Sequence, residues 1–142
     1  MNELNKRQDQ IIEEFSIFDD WMDKYAYLID LGKELNGLPD EQKKDDILIK
    51  GCQSRVWLDT EFKNGKIYFS ADSDAIITKG IVALLIKVMS ELEPKDIMNA
   101  DLYFIEKIGL QENLSPTRSN GLLSMIKQMK MYGLAYNTKL NN

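Results

Sequence analysis

Residues 55–69 read RVWLDTEFKNGKIYF, and this stretch decides the fold. Val56, Leu58, Thr60 and Phe62 alternate with Trp57, Asp59 and Glu61, which is the two-residue period of a strand. Asn64-Gly65 is a strong signal for a tight turn between this strand and the next apolar run, 67–69. The sequence therefore predicts an antiparallel hairpin.

A third strand is predicted before the hairpin. The segments 46–50, 55–62 and 66–71 together form an antiparallel sheet of about three strands. Gly51-Cys52-Gln53-Ser54 lies between the first two segments, so it is expected to form a strand-to-strand turn. The cysteine is therefore expected at one end of the sheet.

Two helices are predicted ahead of the sheet. Apolar residues recur at helical spacing over 6–18 and again over 21–32. Asp19 and Asp20 supply capping side chains for the second helix. The stretch 35–46 holds Asn-Gly and Pro-Asp pairs among many charges, which favours a loop.

Further helices are predicted after the sheet. A long helix is expected to begin at Asp72-Ser73-Asp74, whose side chains cap it and suit its dipole, and to stop before Pro94. Pro94 opens a short helix, and the spacing over 102–110 indicates another. The last helix has Ser115 as its N-cap and Pro116 as its first residue.

These elements place the chain in the α+β class, with helices packed on one small antiparallel sheet. The 142 residues, of which 44% are hydrophobic, suit one core. Residues 1–142 are therefore expected to form a single domain, with disordered ends before about residue 6 and after about residue 136.

Charge and hydropathy argue against two classes of partner. The formal net charge of −5 has the wrong sign for general attraction to nucleic acid or anionic lipid. The longest apolar run, 81–86, is far shorter than the roughly 18 residues of a membrane span. Residues 1–10 also lack the apolar region of a secretory signal. We expect a cytoplasmic protein.

The chain has one cysteine and no histidine. A single thiol excludes an internal disulfide and persists most readily in a reducing compartment. The lack of histidine removes the usual general base and the commonest nitrogen ligand for metals. Ser-His-Asp, Cys-His and ordinary zinc chemistry are therefore excluded within the chain, and neither a metal site nor a cofactor is expected.

Cys52 has two interpretations. Lys50 and Arg55 flank it and stabilise a thiolate if their charged groups approach the sulfur. The alternative is a buried cysteine that acts as a small hydrophobic residue. Because Cys52 follows Gly51 in a polar turn rather than lying within an apolar run, its position favours a reactive thiol as much as a structural one.

The segment Gly51-Cys52-Gln53-Ser54-Arg55-Val56-Trp57 resembles the cysteine motif of the SufE family of sulfur acceptors. Later motifs of that family follow in the same order: Ala71-Asp72-Ser73-Asp74-Ala75, Lys79-Gly80 and Leu114-Ser115-Pro116-Thr117-Arg118-Ser119-Asn120-Gly121-Leu122. N-terminal similarities are Trp21, Tyr25, Leu28-Ile29, Leu31-Gly32-Lys33 and Leu38-Pro39. The resemblance spans 15–129. At the position of Arg55 the family is also expected to have glutamine. This variation alters the local charge and not the role of the thiol.

The resemblance implies a fold of the SufE/IscU type and a protein that docks on a SufS-like cysteine desulfurase. Cys52 would receive sulfur from that enzyme as a persulfide, and the chain would stimulate the enzyme and deliver the sulfur toward an iron–sulfur scaffold complex. Pyridoxal phosphate belongs to the desulfurase, so the chain itself needs no cofactor and no metal. Neither nucleic acid nor a membrane is an expected partner.

Supporting roles beside the thiol are implied for Gly51, Gln53, Arg55, Asp74 and Arg118. For Asp74, capping of the long helix is an alternative, and it applies to Asp72 as well. Arg118 pairs either with a partner's carboxylate or within the chain. Aromatic and methionine side chains, by contrast, are expected mainly in the core: Trp21, Tyr25, Tyr27, Trp57, Met125, Met129 and Met131.

We further expect the free protein to hide Cys52 and docking to expose it. Ile49, Val56 and Trp57 would wall an apolar pocket around the thiol, and Gly51 would supply the backbone freedom for the loop to extend. Burial of the thiol raises its pKa, whereas exposure near a partner favours the thiolate.

Other functions compete with sulfur carriage. An iron–sulfur scaffold needs several soft ligands, which one cysteine does not supply. A thiol peroxidase or redox sensor fits an exposed cysteine but has no second thiol here to resolve a sulfenic acid. A binding module that stimulates a desulfurase without carrying sulfur stays open, and replacement of Cys52 by serine separates it from a carrier.

Overall fold

The computed structural model describes residues 2–140 and has the expected α+β architecture. Two helices precede a hairpin, and four helices follow it. In chain order they are α1 (Glu3–Phe15), α2 (Trp21–Glu34), β1 (Val56–Lys63), β2 (Lys66–Ser73), α3 (Ile76–Met89), α4 (Pro94–Met98), α5 (Phe104–Lys107) and α6 (Pro116–Leu140). Short 3₁₀ turns occupy Asp40–Gln42, Asp45–Ile47 and Gln111–Asn113.

The predicted hairpin is present. β1 and β2 pair antiparallel from Val56 with Ser73 to Lys63 with Lys66. Asn64 and Gly65 form the turn with φ angles of 55° and 78°, the left-handed conformations that a tight hairpin turn requires.

The predicted third strand was wrong, because the sheet of the described residues has two strands. The 3₁₀ turn Asp45–Ile47 takes up the first two residues of the segment 46–50, and a single bridge from Leu48 to Trp57 adds to the sheet. Gly51, at φ 93°, then turns the chain away before a second bridge can form.

Close backbone contact fixes α2 against α3. A methyl group at Gly80 would overlap the carbonyl of Leu28, and one at Gly32 would lie 2.9 Å from the amide nitrogen of Gly80. The two helices therefore touch at their glycines, which brings the start of α3 toward the loop 35–46. α3 itself is mostly buried, as its apolar sequence predicts.

The predicted start of α3 was also wrong. β2 continues through Ser73, and α3 begins at Ile76 with Ala75 at a cap position that has no side-chain hydrogen bond. Asp72 and Asp74 therefore do not cap this helix. α3 ends at Met89, short of Pro94, because residues 91–92 bend back and hydrogen-bond with Ile67 of β2.

Other helix boundaries differ by a turn or less, except in the segment 102–110. α1 begins at Glu3, where Asn2 caps it, and ends at Phe15 rather than residue 18. Asp20 caps α2 as expected, and Ser115 accepts from the amide of Arg118 at the start of α6. In the segment 102–110 only Phe104–Lys107 is α-helical.

Helical structure continues into both stretches that the sequence marks as disordered ends, since α1 starts at Glu3 and α6 reaches Leu140. The outermost part of that expectation, residues 1 and 141–142, lies outside the described residues.

The core fills the space between the helices and the hairpin. Trp57, Met125 and Met129 are buried in or beside it, as expected. Met131 is the exception: it lies on the outer face of α6, and 52% of its surface is exposed. Met131 follows Met129 by two residues, so the helical period places it on the opposite side of α6, and the expected core position was wrong.

Candidate functional site

Cys52 lies on the loop that runs from Ile49 to Val56, where β1 of the hairpin begins. The amide of Ile49 donates to the carbonyl of Val56 at 2.8 Å, which closes the base of the loop. Gly51 has φ 93°, and a methyl group there would overlap the hydroxyl of Ser124 on α6. The loop tip therefore rests against α6 and needs glycine at this position.

The thiol faces a cavity of about 280 Å³ between this loop and the first turns of α3 and α6. The loop contributes Gln53 and Ser54, and α3 contributes Thr78 and Ile81. The start of α6 supplies most of the remaining wall: Ser115, Thr117, Arg118, Gly121 and Met125. The lining is mostly polar, holds one cation and holds no carboxylate among the described residues.

The resting thiol is half-buried. Its sulfur contacts the carbonyl of Gly121, with 3.6 Å between Sγ and the oxygen, so the S–H group donates to that oxygen. A methyl group at Gly121 would lie 3.5 Å from Sγ, which shows how closely α6 approaches the cysteine. Burial raises the pKa of Cys52, so the free protein holds it mainly as a protonated thiol at neutral pH.

The cavity also has features that suit an anion. The amino-terminal turns of α3 and α6 border it, and a helix carries partial positive charge at that end. Arg118 adds a full charge at the rim. These positive groups border the cavity, although burial is the effect that determines the raised pKa of Cys52 itself.

Asp74 holds the return of the cysteine loop. Its carboxylate accepts from the amide of Arg55 at 3.0 Å, and its own amide donates to the carbonyl of Arg55. The hydroxyl of Ser73 donates to the same carbonyl at 2.8 Å. Asp74 thus acts on the loop through the Arg55 backbone, while the Arg55 side chain is exposed and does not line the cavity.

Asp72 anchors the loop that leads to the cysteine segment. It is 7% exposed and accepts from the amides of Leu38 and Ser73. Lys43 and Lys79 pair with its two oxygens at 3.1 and 3.3 Å. Burial alone would raise the pKa of Asp72, but these four donors outweigh it and lower the pKa to about 2.

The structure brings Cys52, Gln53 and Arg118 together around one cavity, with Gly51 at the adjacent turn. Lys50 and Arg55, the cations that flank the thiol in sequence, do not line the cavity. The expected wall of Ile49, Val56 and Trp57 was wrong, because these side chains belong to the core and α3 and α6 supply the wall instead.

Sequence reasoning did not identify Thr78, Thr117 and Gly121 as part of this site. The motif 114–122 pointed to the start of α6, but its spacing from Cys52 exceeds 60 residues and carries no signal of contact. Thr78 gave no signal, since a threonine in a helix is ordinarily interpreted as a packing residue.

Chemically, the site holds one nucleophile in a partly enclosed polar cavity. Once deprotonated, a thiol in this setting is able to accept a group from an approaching reagent, and the cavity walls are able to shield that group from solvent. No cluster of three histidine, cysteine, aspartate or glutamate side chains suitable for a metal ion occurs within residues 2–140.

The chain is similar to proteins of one known family. The family model described as "SufE: Fe-S metabolism associated domain" matches residues 9–133. An uncharacterised SufE-like protein of Rhizobium etli is 43% identical over 127 residues, which cover 86% of this chain and 86% of that protein. Another from Rhizobium meliloti is 39% identical over 127 residues and covers 86% of this chain and 91% of its own length.

A solved structure has a similar fold. The solution structure of a hypothetical protein from Thermus thermophilus superposes with a TM-score of 0.76 at 17% identity, covering 93% of this chain and 96% of the other. Over the part of the chain that is described, no helix is both long and apolar enough to cross a membrane.

Proposed function

The chain belongs to the SufE family, whose domain is associated with iron–sulfur metabolism, and from this premise we propose that Cys52 accepts and carries sulfur as a persulfide. The donor is a cysteine desulfurase, and the carried sulfur goes toward iron–sulfur cluster assembly. The observation that supports this proposal most is the placement of the chain's one thiol in a partly enclosed polar cavity.

The transfer step is a thiol exchange. The Cys52 thiolate attacks the outer sulfur of the persulfide on the desulfurase, a new S–S bond forms on Cys52, and the bond within the donor persulfide breaks. The desulfurase cysteine leaves as a thiolate. The proton of the resting Cys52 thiol must depart first, because only the thiolate is nucleophilic.

Loss of that proton requires a change at the loop. In the free protein Cys52 donates to the Gly121 carbonyl and burial favours the neutral thiol, so the resting state is poorly reactive. Movement of the loop out of its contact with α6 breaks this hydrogen bond and returns the sulfur to water or to a partner's site. Docking is therefore expected to activate the thiol.

After transfer the cavity gives the carried sulfur a place apart from solvent. Its volume of about 280 Å³ exceeds that of an additional sulfur atom, and its hydroxyls and Arg118 are suitable neighbours for an anionic persulfide. A downstream thiol then attacks the outer sulfur by the same exchange. No cofactor within this chain takes part in either step.

The decisive variant is Cys52→Ser, assayed with a SufS-like desulfurase and cysteine. The turnover of the desulfurase and the sulfur bound to the chain are measured separately, with Ser70→Ala, at an exposed position on β2 outside the cavity, as a control. A carrier loses both bound sulfur and its stimulation of turnover when Cys52 is replaced. If Cys52→Ser stimulates turnover as well as the wild type, the chain is a non-carrying activator.

A further inference from the structure

The outer face of α6 carries apolar side chains that the fold leaves uncovered. Leu123, Met131 and Leu134 are 49%, 52% and 52% exposed, and with Ile126 and Met98 of α4 they line a groove of about 410 Å³. We call this the α6 groove. Its residues on α6 recur at three- and four-residue spacing, so they form one continuous stripe along the helix.

The charges along this groove have one sign. Lys127 and Lys130 line it together with the apolar residues, and no carboxylate from residues 2–140 lines it. This contrasts with a formal net charge of −5 for the whole chain. Neither lysine forms an ion pair among the described residues. A surface with this combination is complementary to an apolar segment that carries carboxylates.

The groove is continuous with the surface beside the cysteine loop. Lys127 and Met131 line both the α6 groove and a neighbouring depression, whose lining also includes Leu48, Lys50 and two carboxylates, Asp45 and Asp46. Lys50 immediately precedes the Gly51-Cys52 turn. A partner that covers this depression beside the Gly51-Cys52 turn therefore also contacts Lys127 and Met131.

We propose that the α6 groove is part of the docking surface for the desulfurase, which covers it with an apolar segment bearing aspartate or glutamate. This inference rests on the function proposed above and adds the location and chemistry of the contact. The lysines steer the partner's carboxylates, and the apolar stripe supplies the buried area that keeps the complex together.

A second copy of the chain is a poorer occupant of the groove. Antiparallel pairing of two α6 helices about a two-fold axis would set Leu123 of one copy near Leu134 of the other, and Lys127 near Lys130. The lysines would then face each other across the interface. Self-association through this stripe is therefore disfavoured by charge, whereas an acidic partner is favoured.

The test compares charge reversal inside and outside the groove. Lys127→Glu/Lys130→Glu is matched by Lys6→Glu/Lys66→Glu, which changes the net charge equally at positions on α1 and the hairpin, away from the groove. Met131→Ser is matched by Met22→Ser, at a methionine on α2 that is 80% exposed. Affinity for the desulfurase is measured by titration at low and high salt, with melting curves to verify folding.

We expect the groove pair to weaken binding by roughly tenfold at low salt and to flatten its salt dependence, and Met131→Ser to weaken it by about fivefold. The control variants should bind like the wild type. Equal effects of groove and control variants would overturn the docking surface while leaving sulfur carriage intact. A wild-type chain that forms a dimer through Met131, or that fails to bind the desulfurase, would also overturn it, and the latter result would contradict the proposed function as well.

Discussion

Asp72 and Cys52 lie near the same end of the hairpin, but their side chains are held in opposite ways. Trp57 of β1 pairs in register with Asp72 of β2, and the cysteine loop ends one residue before Trp57, at Val56. Asp72 is buried and has four partners, two of them lysines. Cys52 is half-buried, and its side chain makes one long contact with the Gly121 carbonyl.

This difference shows that one part of the chain, the Asp72 cluster, anchors the structure, while another, the cysteine loop, carries the reactive group. The Asp72 cluster fixes the loop 35–46 to the sheet, and Lys43 within it also lies over the Trp57 ring at 5.3 Å. The base of the cysteine loop is thereby anchored next to Trp57. Its tip is held by packing on α6 and by a weak S–H contact, so the tip can move while its base stays in place.

Removal of the anchor should have the largest effect on stability. Asp72→Ala leaves the amides of Leu38 and Ser73 and two partly buried ammonium groups without their acceptor, which costs about 3 kcal/mol of unfolding free energy. Asp74→Ala removes one hydrogen bond at an exposed position and should cost about 1 kcal/mol. Urea denaturation of both variants checks this order, and equal losses would contradict it.

Two glycines beside the hairpin have similar backbone angles but different surroundings. Gly51 and Gly65 have φ angles of 93° and 78°, but a methyl group at Gly65 meets nothing within 4 Å. Gly65→Ala should therefore cost about 1 kcal/mol from the left-handed conformation alone, and Gly51→Ala about 2 kcal/mol because it also overlaps Ser124.

The Ser124→Ala background is the control for the Gly51 effect, since it removes the hydroxyl that the new methyl group would meet. In that background the unfolding cost of Gly51→Ala should approach that of Gly65→Ala. If the cost does not change, the loop tip is not pressed against α6 as the structure indicates.

Acid should weaken the anchor selectively. The pKa of Asp72 in the folded chain is about 2, below its unfolded value near 3.8, so its contribution is complete above the unfolded pKa and disappears as the pH falls toward about 2. The wild type should lose up to about 2 kcal/mol more than Asp72→Asn between pH 5 and pH 2. Parallel stability curves for the two proteins would show that Asp72 is not held as an ion pair.

The smallest effect concerns the resting thiol. Because burial raises the pKa of Cys52, alkylation by iodoacetamide at neutral pH should be slower than that of a small-molecule thiol and should reach its midpoint at higher pH. Unfolding in urea should restore the ordinary rate. A catalytically dead desulfurase without its acceptor cysteine should accelerate the reaction, and protection by that partner would refute loop opening.

Local signals in the sequence predicted the elements that depend on neighbouring residues. Alternation over 56–62 and the Asn64-Gly65 pair specified the hairpin, and Ser115-Pro116 specified the start of α6. The third strand failed because strand pairing depends on contacts that the sequence does not display. Asp45–Ile47 adopts a 3₁₀ turn, and the chain then reverses at Gly51.

The roles of the two aspartates were beyond local reasoning. An aspartate that precedes a helix gives the same sequence pattern whether it caps the helix or accepts hydrogen bonds from elsewhere. The partners of Asp72 include the amide of Leu38, 34 residues away, which no local pattern indicates. The cavity wall was not predicted for the same reason, since α6 reaches Cys52 only through tertiary packing. The resemblance to family motifs pointed to Arg118, but the contact with Gly121 needed the structure.

The most direct test of sulfur carriage is the intact mass of the wild-type chain after incubation with a SufS-like desulfurase and cysteine. We predict a gain of one or more sulfur atoms that maps to Cys52, disappears on treatment with a thiol reductant and is absent from Cys52→Ser. An unchanged mass in the presence of a desulfurase that is itself persulfidated would contradict the proposal that Cys52 carries sulfur.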